Sequence, residues 1–193
     1  MSTTHASDFD VIVIGASAGG VLALHSILGA LPQALSLPVL VVLHLPRDRP
    51  SHIAEIAGAH CPLPVSEAED KQPLEPGSVV FAPPDYHLLV EDRSSLALSL
   101  DAPVLFSRPA IDPLFESASQ VFGERVLAIL LTGASADGSE GVAAVRKARG
   151  TAWIQHPDDA SSPLMPSSAL AHAGADAVLT LQEICSHLAQ LTR

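Results

Sequence analysis

The sequence predicts an α/β fold: a doubly wound, mostly parallel sheet between two helical layers, Rossmann-like, with an inserted antiparallel hairpin. Three observations predict it. Short apolar, β-branched runs alternate with stretches of helical apolar spacing over most of the chain. Hydrophobic residues make up 48% of the sequence but aromatics only 4%, so the core is built of Ala, Leu, Val and Ile. That composition suits parallel strands covered on both faces. The chain has 193 residues, enough for one domain with a proper core.

The elements follow in order. Residues 11–14 read as a buried strand that breaks at Gly15, and helical spacing (Val21, Leu24, Leu28, Leu31) begins past Gly20. A second buried run, 39–44, stops at Leu45-Pro46, and Ser51 caps a short helix through Ile56. From 62 to 100 the pattern changes to short β-type pieces at 78–81, 87–90 and 96–100. They are punctuated by Pro76-Gly77, Pro83-Pro84-Asp85 and Glu91-Asp92, and are expected to form an antiparallel insertion of hairpins. Alternation then resumes with a helix at 111–121, a strand at 126–131 and a helix at 138–149 ended by Gly150. A strand at 151–155, a helix at 167–173 ended by Gly174, a strand at 177–179 and a helix at 181–191 complete the chain. Residues 1–9 are expected to be a disordered tail and 10–193 a single domain.

Composition narrows the function classes. A net charge of −11 argues against nucleic acid and anionic membrane surfaces, which need basic partners. Cys61 and Cys185 lie far apart, give neither a disulfide framework nor a zinc signature, and fit a reducing cytoplasm. The first eight residues lack the apolar core of a signal peptide, and no apolar run approaches the ~18–20 residues that span a bilayer. The expectation is a cytoplasmic protein with no membrane insertion, no cofactor and no metal.

Function gathers at the carboxyl ends of strands in such sheets. Ser17 follows the first strand on a glycine-flanked turn beside free helix N-terminal N–H groups. His44 closes the second strand, and Asp137 lies in the loop after the strand at 126–131. A hydroxyl nucleophile needs a base, and an imidazole base needs a carboxylate to fix its tautomer, so these three side chains form a candidate relay. Each also has a plainer use: a serine in such a turn caps a helix or cradles a phosphate, a strand-end histidine bonds locally, and Asp-Gly makes a turn.

Six ordered motifs carry a more specific likeness: Ile14-Gly-Ala-Ser17-Ala-Gly-Gly20, His44-Leu45-Pro46, Ala82-Pro83-Pro84-Asp85-Tyr86-His87, Ser107-Arg108-Pro109-Ala110-Ile111-Asp112, Leu131-Thr132-Gly133 to Asp137-Gly138, and Met165-Pro166. In these the chain resembles the catalytic domain of the CheB-type chemotaxis receptor methylesterases over nearly its whole length. The resemblance implies Ser17 as nucleophile, His44 as general base and Asp137 as its orienting carboxylate. It implies hydrolysis of glutamyl γ-methyl esters on the cytoplasmic helices of chemoreceptors, with deamidation of receptor glutamines in some members. The oxyanion would be held by backbone N–H groups at Ala18 or Gly19 and near Ala134.

The chain departs from the family pattern at Ala18, where a threonine often follows the nucleophile, and at Ala134 and Ser135 in the acidic loop. It is also expected to lack the receiver domain that many members carry, so that control would come from a regulator acting in trans. Arg47, Arg49 and Arg108 form an expected basic rim, and Arg108 and Arg47 are candidates for substrate binding.

Two alternatives come from other classes. Gly15-x-x-x-Gly19-Gly20 resembles a dinucleotide turn, but Tyr86 is followed four residues on by Val90, so only a non-catalytic nucleotide-binding module remains. Gly15-x-Ser17-x-Gly19 also matches the α/β-hydrolase elbow of small-molecule esterases, whose chain order would make His156, His172 or His187 the base.

Overall fold

The computed structural model describes residues 8–48 and 50–191. Among them the elements run β1 (Val11–Ala16), α1 (Gly20–Ala30), β2 (Val39–Leu43), α2 (Ile53–Gly58), β3 (Val65–Glu67), β4 (Val79–Phe81), β5 (His87–Val90) and β6 (Leu96–Ser99). There follow α3 (Ile111–Phe122), β7 (Val126–Leu130), α4 (Ser139–Lys147), β8 (Thr151–Gln155), α5 (Leu164–Ala173), β9 (Ala177–Leu179) and α6 (Leu181–Leu188).

Seven strands pair in parallel in the order β3-β4-β2-β1-β7-β8-β9. Strand side chains alternate between faces, so one sequence run feeds two cores. Ile12, Ile14, Val39, Val41, Leu127 and Ile129 pack with α1, α2 and α6. Val11, Val13, Leu40, Val42, Val126 and Ala128 pack with α3, α4 and α5. The expected doubly wound sheet is what the chain forms. Strand order reverses at β1, which lies between β2 and β7, and ligands of such sheets gather at that reversal.

The antiparallel insertion is smaller than the sequence predicts. Among the strands of the described residues, β5 and β6 alone pair antiparallel, Val90 opposite Leu96. The piece at 78–81 joins the main sheet as β4, parallel to both β2 and β3. β3 and β4 are parallel neighbours joined without an intervening helix, so the chain between them carries turn residues that mimic a hairpin signal. The apolar stripe of α1 is also rotated: Gly20, Ala23, Leu24, Ile27 and Leu28 are buried, whereas Val21 is half exposed. Helix α5 starts earlier than its predicted residue 167, directly after Pro163, because Met165 N–H is held by the Gly133 carbonyl at 2.9 Å.

Candidate active site

Backbone pairing sets the site before any side chain does. Ala16 is the last registered partner of Leu43 on one side, and Gly15 of Leu130 on the other. One step further, His44 N–H donates to the Ala16 carbonyl at 3.1 Å and Ser17 N–H to the Thr132 carbonyl at 3.0 Å. Ser17 therefore stands between His44 and Thr132, at the centre of the carboxyl edge, with strand neighbours about 4.8 Å apart.

The turn that presents Ser17 closes with Gly20 N–H on the Ser17 carbonyl at 2.7 Å. It needs Gly19 in the left-handed region, φ 79°, where a β-carbon is unfavourable. Thr132 clamps the same turn: its hydroxyl donates to the Ala18 carbonyl at 2.8 Å and accepts Ser162 N–H at 2.8 Å. Gly133 lets the two loops close, since a β-carbon there would stand 2.9 Å from Ser17 Cβ and 2.6 Å from Met165 Cε. Among the described residues the N–H groups of Ala18, Gly19 and Ala134 make no backbone hydrogen bond, and all three border this turn or its facing loop.

Asp137 is fully buried, and its surroundings explain how a carboxylate survives there. Its Oδ1 accepts Asp112 N–H at 3.0 Å and Gly138 N–H at 2.9 Å; its Oδ2 accepts Ile111 N–H at 2.6 Å. Ala110, the residue capping α3, has no side-chain acceptor to offer the first helical N–H groups. Asp137 supplies the cap from another loop and sits on the positive end of that helix. Its Oδ2 also lies 2.7 Å from His44 Nε2. Burial pushes the Asp137 carboxyl up, but His44 and the N–H groups of Ile111 and Asp112 outweigh that and hold it below the usual carboxylate range.

The His44 tautomer follows. With Nε2–H donating to the carboxylate, Nδ1 keeps its lone pair and faces the opposite way. There it meets Ser107 Oγ at 3.3 Å. Ser17 Oγ is partly exposed and makes no hydrogen bond among the described residues. The hydroxyl within hydrogen-bond reach of this base is thus that of Ser107, while Ser17 meets His44 through the backbone, His44 N–H donating to the Ala16 carbonyl beside it. Both serines have their own N–H bonded, Ser107 to the Val104 carbonyl and Ser17 to the Thr132 carbonyl. Ser17, however, lies on the turn into α1, whose cap has no side-chain acceptor, whereas the first N–H groups of α3 are taken by Asp137.

A second buried carboxyl backs the first. Asp112 accepts Gly141 N–H at 2.7 Å, and its carboxyl lies against that of Asp137. Burial, then the Asp137 charge, push Asp112 up to about 7. The folded state therefore keeps a proton that the unfolded chain sheds near 3.8, so this group's contribution to stability falls as pH rises from about 4 to about 7, then levels off. Asp112→Asn places an amide donor against Asp137 and keeps an acceptor for Gly141. Its melting temperature relative to wild type is expected to climb across pH 4–7 and stay flat above; a gap independent of pH contradicts the pairing.

The arginines fall apart in role. Arg108 donates from Nε and Nη2 to Asp85 Oδ1 at 3.1 and 2.8 Å, and from Nη1 to the Leu100 and Asp101 carbonyls. Its donors are engaged in holding the loop after β6. Arg47 is half exposed and only 4.0 Å from the same Asp85 oxygen. Arg49 lies outside the described residues. The histidines that an α/β-hydrolase order requires stand elsewhere: His172 pairs with Glu140 at 3.2 Å, His156 with Asp158 at 3.9 Å, and the His187 ring lies 5.6 Å from that of Trp153.

Sequence reasoning missed the parts played by Ser107, Asp112 and Thr132. All three lie inside the motifs quoted above, so the signal was there; what was missing is that their partners are far away in the chain.

A parallel α/β sheet with a serine, a histidine and a buried carboxylate at one carboxyl edge has the layout of a serine hydrolase. The chain's likenesses agree. A crystal structure of the Thermotoga maritima CheB methylesterase catalytic domain superposes with a TM-score of 0.89 at 30% identity, covering 94% of this chain and 98% of that one. A Leptospira interrogans protein is 38% identical over 177 residues, 92% of each chain. The protein-glutamate methylesterase/protein-glutamine glutaminase of Azospirillum brasilense is 41% identical over 182 residues, 91% of this chain but 45% of its own length. The matching protein 1 of Rhodospirillum rubrum is 38% identical over 190 residues and 48% covered. The chain thus spans about half the length of these last two relatives. The CheB methylesterase family matches residues 12–188, and the chain belongs to it: it is a carboxylic ester hydrolase. The dinucleotide and α/β-hydrolase alternatives find no support in these likenesses.

Proposed function

We propose that this chain hydrolyses γ-methyl esters of glutamyl residues on the cytoplasmic helices of chemoreceptors, acting in the cytoplasm through Ser17, His44 and Asp137. The observation that carries this reading is the 2.7 Å bond between His44 Nε2 and the buried Asp137, one register step from Ser17. His44 Nδ1 takes the Ser17 proton as Oγ attacks the ester carbonyl, and the imidazolium that forms is stabilised by Asp137. Ser17 Oγ has to meet Nδ1 on the side now occupied by the Ser107 hydroxyl; such contacts commonly tighten only with substrate bound. The tetrahedral oxyanion is held by N–H groups at Ala18, Gly19 and Ala134, each worth a factor of about 10²–10³ in rate. The proton on Nδ1 passes to the departing methoxide, methanol leaves, and water opens the acyl-enzyme by the same steps. A glutaminyl amide enters the same path with ammonia leaving. Arg47 and Arg108 border the approach; with Arg108 engaged internally, Arg47 is the cation available to a glutamate-rich helix.

The test is release of labelled methanol from receptor methylated on its glutamates. Release by the wild-type chain is expected. Hydrolysis of a small ester such as p-nitrophenyl acetate with no release from receptor contradicts the substrate assignment.

A further inference from the structure

The loop after β6 puts apolar side chains in an unusual place. Val104 and Ser107 exchange both backbone hydrogen bonds, 3.0 and 2.8 Å, and so close a two-residue turn over Leu105 and Phe106. Both turn residues have positive φ, 45° and 70°. This is the backbone of a type I′ turn, which favours Asn-Gly and disfavours large side chains. Inward packing does not offset the strain: Phe106 is 95% exposed and Leu105 52%. Strained, outward-facing residues of this kind cluster where a ligand is met.

The turn is continuous with the catalytic edge, since the next residue, Ser107, touches His44 Nδ1. Leu105 and Phe106, with Pro103 and Arg47, line a cleft of about 450 Å³. Arg47 also borders the adjoining cleft, which holds Asp48, Asp85 and Arg108. Arg108 takes the Asp85 carboxylate at 2.8 Å, leaving Arg47 loosely held at 4.0 Å. A chain of net charge −11 repels an acidic partner at long range. Capture of one therefore needs local apolar contact beside an exposed, loosely held cation.

We propose that Leu105 and Phe106 form a docking knob that packs on the apolar face of the acidic, amphipathic helix bearing the esterified glutamate, with Arg47 facing that helix's carboxylates. This rests on the substrate reading above. Exposed aromatic anchors of this type dominate helix recognition energetics. A second copy of this chain is the competing occupant, and the oligomeric state of the variant distinguishes it.

The test uses the double substitution Leu105→Asn, Phe106→Gly. It installs the pair the turn prefers, keeps Ser107 and His44 in place, and removes both apolar side chains. With methylated receptor, KM is expected to rise about tenfold or more, while turnover of p-nitrophenyl acetate stays within about twofold and the melting temperature does not fall. An unchanged receptor KM overturns the proposal. So does an equal loss on both substrates, which would mean that the turn acts through Ser107, or a change in oligomeric state, which would mean that the knob pairs with a second copy. Wild-type methanol release is measured first: its absence removes the substrate reading and the knob's assignment with it, whereas its presence with an unaltered variant removes the knob alone.

Discussion

Ser17→Ala is expected to lower ester hydrolysis by a factor on the order of 10⁴ or more, on methylated receptor and on small esters alike. The loss falls on kcat, because the alanine deletes the attacking atom and leaves the surface that meets the substrate. Stability is expected to hold within about 0.5 kcal/mol. The reason is local: the turn is fixed through main-chain bonds from Ser17 N–H to Thr132 and from Gly20 N–H to the Ser17 carbonyl, and alanine keeps both. The Ser17 hydroxyl bonds nothing else among the described residues, so its removal orphans no partner. Methanol release and a thermal melt on the same preparation check both halves. A variant that has lost activity and also several degrees of melting temperature would show that the hydroxyl had a structural role.

Asp137→Asn is expected to lose both activity and stability. The carboxylate accepts three backbone N–H groups and His44 Nε2–H. An asparagine has one acceptor oxygen and one donor amide in the same space. With its amide in the Oδ1 position it faces the N–H groups of Asp112 and Gly138; in the Oδ2 position it faces Ile111 N–H and His44. The second placement strands fewer donors, but it forces Nε2 to accept and moves the imidazole proton to Nδ1. The base then carries its proton on the side where it must receive one. A fall in kcat of about 10⁴ is expected from the wrong tautomer, together with about 1–3 kcal/mol of stability from the buried N–H left unpaired. Steady-state rates and chemical denaturation measure the two. Near wild-type activity in this variant would show that His44 works without its carboxylate partner.

Legibility differed from residue to residue for physical reasons. Ser17, His44 and Asp137 stood out because each follows a buried apolar run, and parallel strands deliver their carboxyl ends to one edge. That inference needs only local pattern and topology. The Ala110 cap was invisible, since an alanine before a helix gives no sign that a carboxylate 27 positions later in the chain will serve it. Asp112 reads as an ordinary first-turn acid; only packing brings it against Asp137. Arg108 reads as a free surface cation, and its ties to Asp85 and two carbonyls depend on how the loop after β6 folds back. In sequence, β4 reads as half of a hairpin because a parallel crossover without a helix leaves the same turn residues. Local periodicity identified the scaffold and the candidate groups at its carboxyl edge, and long-range hydrogen bonds decided the rest.

The chemistry turns on which hydroxyl His44 activates. Nδ1 is bordered by Ser107 at 3.3 Å, yet Ser17 lies on the turn into α1, whose cap offers no side-chain acceptor, whereas the first N–H groups of α3, beyond Ser107, are taken by Asp137. Labelling the protein with a fluorophosphonate and locating the adduct by peptide mass spectrometry decides between them. The adduct is expected on Ser17, and is expected to be lost in His44→Ala; an adduct on Ser107, or one on Ser17 that forms equally fast without His44, would contradict the relay.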